Sequence, residues 1–258
     1  MSKGFRYANA PIGWWGESRD FTGSSGLGLS TNDATQRYVC GTRTLSWDGS
    51  VYKYIKAGST YTSYQMAVWH TATAAVVSYE AVDIASVAGS TVVHIAQAGL
   101  TEDQFAGGYI TIFHATGGGQ VYGIRGNTAS SGGLVDLYLD RPLAKAVTTS
   151  DNMELWANPY AEIDQGNAGG THGFAGIPVA LLTDTYFGWI RTWGPTFIAP
   201  QSTVGGAYLK EAYFRHDGSI DVRPAIATKD YVTDQRAGYI MAGSAAGDGP
   251  LLMLQVSV

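Results

Sequence analysis

In the run Leu134, Val135, Asp136, Leu137, Tyr138, Leu139, the residues Val135, Leu137 and Leu139 fall on one side of an extended chain and Asp136 and Tyr138 on the other, until Pro142 stops the pattern. A period of two fits a strand with one buried face and fits no helix, so it constrains the fold more than any other feature of the sequence. The same alternation recurs at residues 50–58, where Val51 and Ile55 oppose Tyr52 and Tyr54, at 90–99, and at 108–128, where Gly117, Gly118 and Gly119 supply a hairpin turn. Short strands at intervals of about 8 to 12 residues predict an all-β fold, a sandwich or barrel-like body of short antiparallel strands.

Few short helices are expected. Thr101 reads as an N-cap, with Gln104 three residues on, acids between them and Gly107 as a stop, which predicts about one and a half turns. Residues 228–238 read either as a helix or as a polar loop. Residues 1–45 follow no period and mix Phe5, Tyr7, Trp14, Trp15 and Phe21 with Gly, Ser and Asp. They are expected to form an extended N-terminal arm laid on another surface, of this chain or of another subunit, because the aromatic groups would be costly to leave in water. Residues 46–258 form the β-rich body, and the loop at 162–176 is the expected place for a division into two β subdomains.

Charge and composition narrow the function classes. Only 14% of residues are charged, the net charge is -5, and Lys and Arg are scattered, so no basic stripe exists to neutralise phosphates and nucleic acid is not an expected partner. No apolar run approaches the roughly 20 residues of a spanning helix, and the first ten residues lack the apolar centre of a secretory signal, so a membrane is not expected either. Cys40 is the only cysteine, which excludes an internal disulfide and suits a reducing cytosol; it reads as a small buried strand residue.

Reactive chemistry is not signalled. His70, His94, His114, His172 and His216 form no ligand-spaced pair, no Gly-x-Ser-x-Gly elbow occurs, and the glycine clusters read as turns rather than phosphate loops. Asp136 and Asp140 lie about 13 Å apart along one strand, outside the usual glycosidase separations, although Glu154, Glu162 or Asp164 are candidates for a carboxylate pair formed across strands. No catalytic residue, metal or cofactor is expected.

The densest aromatic segment is Tyr186 to Ile198, in which alternation puts Phe187, Trp189, Arg191 and Trp193 on one face and Tyr186, Gly188, Ile190 and Thr192 on the other. Apolar bulk on both sides favours a strand between a core and a neighbouring subunit over an open sugar platform. Arg191 is expected between Trp189 and Trp193 as a cation-π clamp, with Gly194-Pro195 ending the strand. Trp14, Trp15, Phe21, Tyr186, Phe187, Trp189, Arg191 and Trp193 are the candidate interface residues.

Three blocks, Gly99 to Thr128, Leu137 to Tyr160 and Tyr186 to Ile198, preceded by Trp47 to Gly58 and followed by the apolar end Ala237 to Val258, resemble virion structural proteins of tailed bacteriophages, of the kind that decorate or cement the head. The resemblance covers most of residues 40–258, and the segment before residue 40 has no counterpart in it. It implies a protein that coats the major capsid protein from outside, often as a homotrimer, is assembled in the host cytoplasm and needs no catalysis or cofactor. The alternative is a tail-associated or head-fibre receptor-binding module for host glycans, for which seven tryptophans and Trp14 to Phe21 speak; a carbohydrate-active enzyme is the third reading.

Overall fold

The computed structural model describes residues 29–30, 32–46, 48–70, 77–165, 173–205, 210–222, 232–243 and 249–257. Trp14, Trp15 and Phe21, with most of the expected arm, lie outside the described residues, as does His172. Among the described residues the chain is strand and turn, without a helix. It first forms β1 (Arg43–Leu45), β2 (Val51–Lys56) and β3 (Val68–His70). There follow β4 (Val77–Ile84), β5 (Val92–Ala96), β6 (Tyr109–Phe113), β7 (Gln120–Asn127), β8 (Leu134–Leu139) and β9 (Asn152–Trp156). The remainder gives β10 (Ile163–Asp164), β11 (Phe174–Pro178), β12 (Phe187–Thr196), β13 (Glu211–Arg215), β14 (Ile220–Asp221), β15 (Val232–Ala242) and β16 (Leu251–Gln255).

These strands build two compact units, residues 72–159 being inserted between the two parts of the other, 1–71 and 160–258. The division therefore falls at 71–72 and 159–160 and not in the loop at 162–176. The reason lies in pairing: β10 before that loop and β11 after it both pair with β3, which ties its two ends into one sheet.

In the inserted unit, β4, β5, β8, β7, β6 and β9 close into an antiparallel barrel in that order. The alternation of β8 is realised, with Val135, Leu137 and Leu139 inside and Leu134, Asp136 and Tyr138 outside. Ile95, Ile110, Ile112, Tyr122, Ile124 and Met153 fill the interior with them. The helix expected after Thr101 does not form. Its capping contact is present, the Thr101 N–H donating to Gln104 Oε1 at 3.0 Å. However, the buried Asn127 side chain accepts the Phe105 N–H at 2.9 Å and donates to the Thr101 carbonyl at 2.8 Å, taking groups that a helix would have used. Asp103 and Gly107 then turn the chain with φ of 59° and 78°.

The other unit is a ten-stranded antiparallel sheet, ordered β10-β3-β11-β12-β16-β15-β13-β14, with β2 on the second edge of β12 and β1 on β2. Residues 232–238, read as helix or loop, belong to β15, because they pair with β13 on one side and meet β16 on the other. Strand β12 is central: β2 lines one edge from Phe187 to Trp193, while β11 and then β16 line the other. It also runs through Gly194-Pro195, where a break was expected. Beyond Trp193 the β2 ladder has ended, so β12 has an edge without a named strand partner there, and a proline without an N–H is tolerated beside Met253 of β16.

Candidate functional site

The aromatic segment of β12 is built into its own unit. Registers Trp189↔Tyr54 and Arg191↔Tyr52 bring the tyrosines of β2 alongside, and Cys40, Tyr52, Tyr54, Phe187 and Trp189 form one buried cluster with Leu29 and Tyr38 packed against it. Tyr54 stacks on Phe187 at 5.9 Å between centroids, and the Trp189 ring meets Tyr38 at 5.5 Å and Tyr54 at 5.2 Å. Asp33 fixes the covering segment, exchanging backbone hydrogen bonds with Phe187 at 3.0 Å and 2.8 Å. Its carboxylate accepts the Thr35 N–H and pairs with Arg37 at 2.6 Å, contacts that hold its pKa below the usual value. The described end of the arm thus lies on this chain. Phe187 and Trp189, only 9% and 3% exposed, belong to the core of their own unit.

Arg191 marks the end of the covered region. Its guanidinium lies 5.2 Å from the centre of the Tyr52 ring, donates from Nε at 3.2 Å and Nη2 at 2.7 Å to the Tyr52 hydroxyl, and donates from Nη1 to the Pro195 carbonyl. The ring under the cation is therefore Tyr52, across the ladder, in place of the expected clamp by Trp189 and Trp193.

Past Arg191 a bulge shifts the register, Arg191 pairing with Tyr52 and Trp193 with the adjacent Val51, so Trp193 and Pro195 turn to the opposite face of the sheet. Trp193 and Pro195 are half-buried, and the register carries the row from Pro195 to Met253 of β16, Tyr239 of β15 and Glu211 of β13. Met241 and Leu251 are exposed beside it, while Ile240, Leu252 and Leu254 on the opposite side enter the core with Phe214 and Ala237. The result is an uncovered face of Trp, Pro, Met, Tyr and Leu side chains across three strands. Of the candidate interface residues that are described, Trp193 alone joins it; Tyr186 is half-buried on the approach to β12, its carbonyl accepting the Ala57 N–H at 2.8 Å. Tyr239, Met241, Leu251 and Met253 were not singled out from the sequence. Their signal is a strand, Leu251 to Leu254, apolar at both parities, which needs cover on both faces.

A separate polar cleft of about 190 Å³ in the same unit is lined by Lys56, Gly58, Glu162, Asp164, Asp184 and Thr185. It brings together Glu162 and Asp164, two of the carboxylates noted in the sequence, with Asp184. Asp164 Oδ1 is buried without a hydrogen-bond partner, and the Tyr61 hydroxyl, which donates to the Ile163 carbonyl at 2.9 Å, has its pKa raised first by burial and then by the Asp164 charge. Among the described residues no group of three or more side chains is arranged to hold a metal ion. Asp136 pairs instead with His94 across β5 and β8 at 2.6 Å, and Asp140 with Arg141 at 3.2 Å. Cys40 is buried in a turn before β1, and burial pushes its thiol up to about 12, which leaves it protonated and unreactive near neutrality.

No protein-family model, curated protein or solved structure matches the chain.

Proposed function

We propose that the chain is a structural virion protein of a tailed bacteriophage, a decoration or cement protein that binds the outer surface of the major capsid lattice and stabilises the head. The observation that carries this reading is the uncovered face from Trp193 and Pro195 across Met253 to Tyr239, with Met241 and Leu251 beside it. Contiguous apolar side chains on a sheet that already buries its other side suit contact with a protein, either the capsid or a second copy in a homotrimer. Such contacts need burial of more than about 2,000 Å² in a permanent assembly and no reactive group. The likeness of the three sequence blocks to head proteins supports the same reading.

The test mixes the purified chain with phage heads that lack it and measures co-sedimentation. Wild-type protein is expected to saturate the heads, and Tyr239→Asp combined with Met253→Asp to bind at least tenfold more weakly with an unchanged melting temperature. Failure of the wild-type chain to bind heads would overturn the proposal.

A further inference from the structure

We infer that Tyr109 and Trp156, on the outside of the six-stranded barrel, form the floor of a binding site for a neutral saccharide. The two residues are opposite each other in the β6–β9 ladder and are 46% and 36% exposed, high values for rings of this size. Their cross-strand Cβ atoms are therefore about 5 Å apart, close enough for the rings to make one continuous surface. Trp156 Nε1 donates to Thr111 Oγ1 at 3.4 Å, which directs the N–H edge of the indole toward the next row of β6 while the residue stays 36% exposed. On the other side of Tyr109 stands Gly123 of β7, and the Asp140 side chain occupies the space that its missing Cβ leaves.

The surroundings are polar. The next row is Val121, Thr111 and Glu154, in register across β7, β6 and β9. Beside Gly123 lies Asp140, which accepts the Gly123 N–H at 3.2 Å and pairs with Arg141, and Arg141 also donates to the Val121 carbonyl at 2.6 Å. Two aromatic faces are thus bordered by a hydroxyl, two carboxylates and a guanidinium. This is the chemistry that a sugar ring meets well: its C–H face is weakly positive and stacks on the negative π face, while its hydroxyls donate to carboxylates and accept from Thr or Arg. The charges also fit. Arg141 answers Asp140 and leaves Glu154 unmatched among the named groups, so the rim does not attract a phosphate, and its carboxylates accept from the hydroxyls of a neutral ligand. The two rings, with Val121 in the next row and charged groups at their edge, differ from the Met, Leu, Pro and Tyr surface of the other unit, which suits a protein. The site is independent of capsid binding by that other face.

The experiment applies the full chain to an array of neutral oligosaccharides of hexoses, N-acetylhexosamines and deoxyhexoses, and follows any hit by fluorescence titration of the wild type and variants. Saturable binding is expected that survives 0.5 M salt at about the same affinity, as a neutral ligand requires. Tyr109→Ala and Trp156→Ala should each weaken it at least tenfold, Trp156→Phe less, and Trp193→Ala not at all. No hit on the array, or a hit whose affinity is the same in Tyr109→Ala and Trp156→Ala, overturns the site. Should Trp156→Ala fail to fold, Tyr109→Ala decides alone, since its half-exposed ring is not part of the barrel core. Head binding unchanged in these variants separates this site from the decoration role.

Discussion

Arg191 caps Tyr52 across the β2–β12 ladder, its guanidinium over the ring at 5.2 Å and two of its nitrogens on the hydroxyl. The pair stands at the end of the face covered by Leu29, Tyr38 and Cys40, just before the bulge that turns Trp193 to the other side of the sheet. Removing the hydroxyl in Tyr52→Phe leaves the half-buried cation with fewer acceptors. A loss of about 1 to 2 kcal/mol is expected by urea unfolding, modest because Arg191 keeps access to water. A double-mutant cycle with Arg191→Met should show coupling of the same order.

Trp189 is buried among Tyr38, Tyr54 and Phe187. Trp189→Ala is expected to cost roughly 3 to 5 kcal/mol, from lost transfer energy and the cavity left behind. A measured loss below about 0.5 kcal/mol would be the behaviour of an open-surface residue.

Gly194 has φ of 114°, and a Cβ there would stand 2.3 Å from Ser50 Oγ and 2.9 Å from Ser50 Cα. Ser50 is fully buried and cannot step aside without moving the start of β2. Gly194→Ala should therefore destabilise the protein by about 2 kcal/mol or more, read as a lower denaturation midpoint, whereas Gly49→Ala, which meets no atom within 4 Å, should cost less despite its φ of 78°.

Burial raises the pKa of Cys40, to about 12, and those of Tyr54 and Tyr61. The unfolded chain gives up these protons at lower pH than the folded one, so their contribution is complete below about pH 9 and is lost as the pH rises toward the folded values. Alkaline titration should show stability falling from about pH 9 upward, less steeply in Cys40→Ala. Native Cys40 should also react with a thiol reagent at pH 8 far more slowly than after unfolding.

The period-two pattern made the fold class legible, because strands such as β8 bury one face and leave the other wet. Other features depended on partners distant in sequence. The Thr101 cap signal was present, but Asn127 from β7 took over its hydrogen bonds. Pro195 was read as a stop, and it continues only because the β2 ladder has already ended beside it. The insertion of residues 72–159 leaves no change of composition at either junction, since both units bury the same aliphatic residues. In the candidate site, alternation placed Phe187, Trp189 and Arg191 on one face, but the bulge between Arg191 and Trp193 turns Trp193 to the other, a slip that strict alternation does not encode. What these residues meet was not legible either: residues 29–40 cover Phe187 and Trp189, while Trp193 and Pro195 continue into Met253 and Tyr239, some 45 to 60 residues further along the chain. Tyr109 and Trp156 come together only through the β6–β9 register, which neither segment encodes alone.

The most direct measurement of the proposed role is the copy number and radial position of the chain in purified phage particles, by quantitative mass spectrometry and cryo-electron microscopy of one sample. Hundreds of copies on the outer shell are predicted, with the Trp193–Tyr239 face against a capsid subunit or a second copy. A handful of copies at one vertex or on the tail, or none in the particle, would contradict the account.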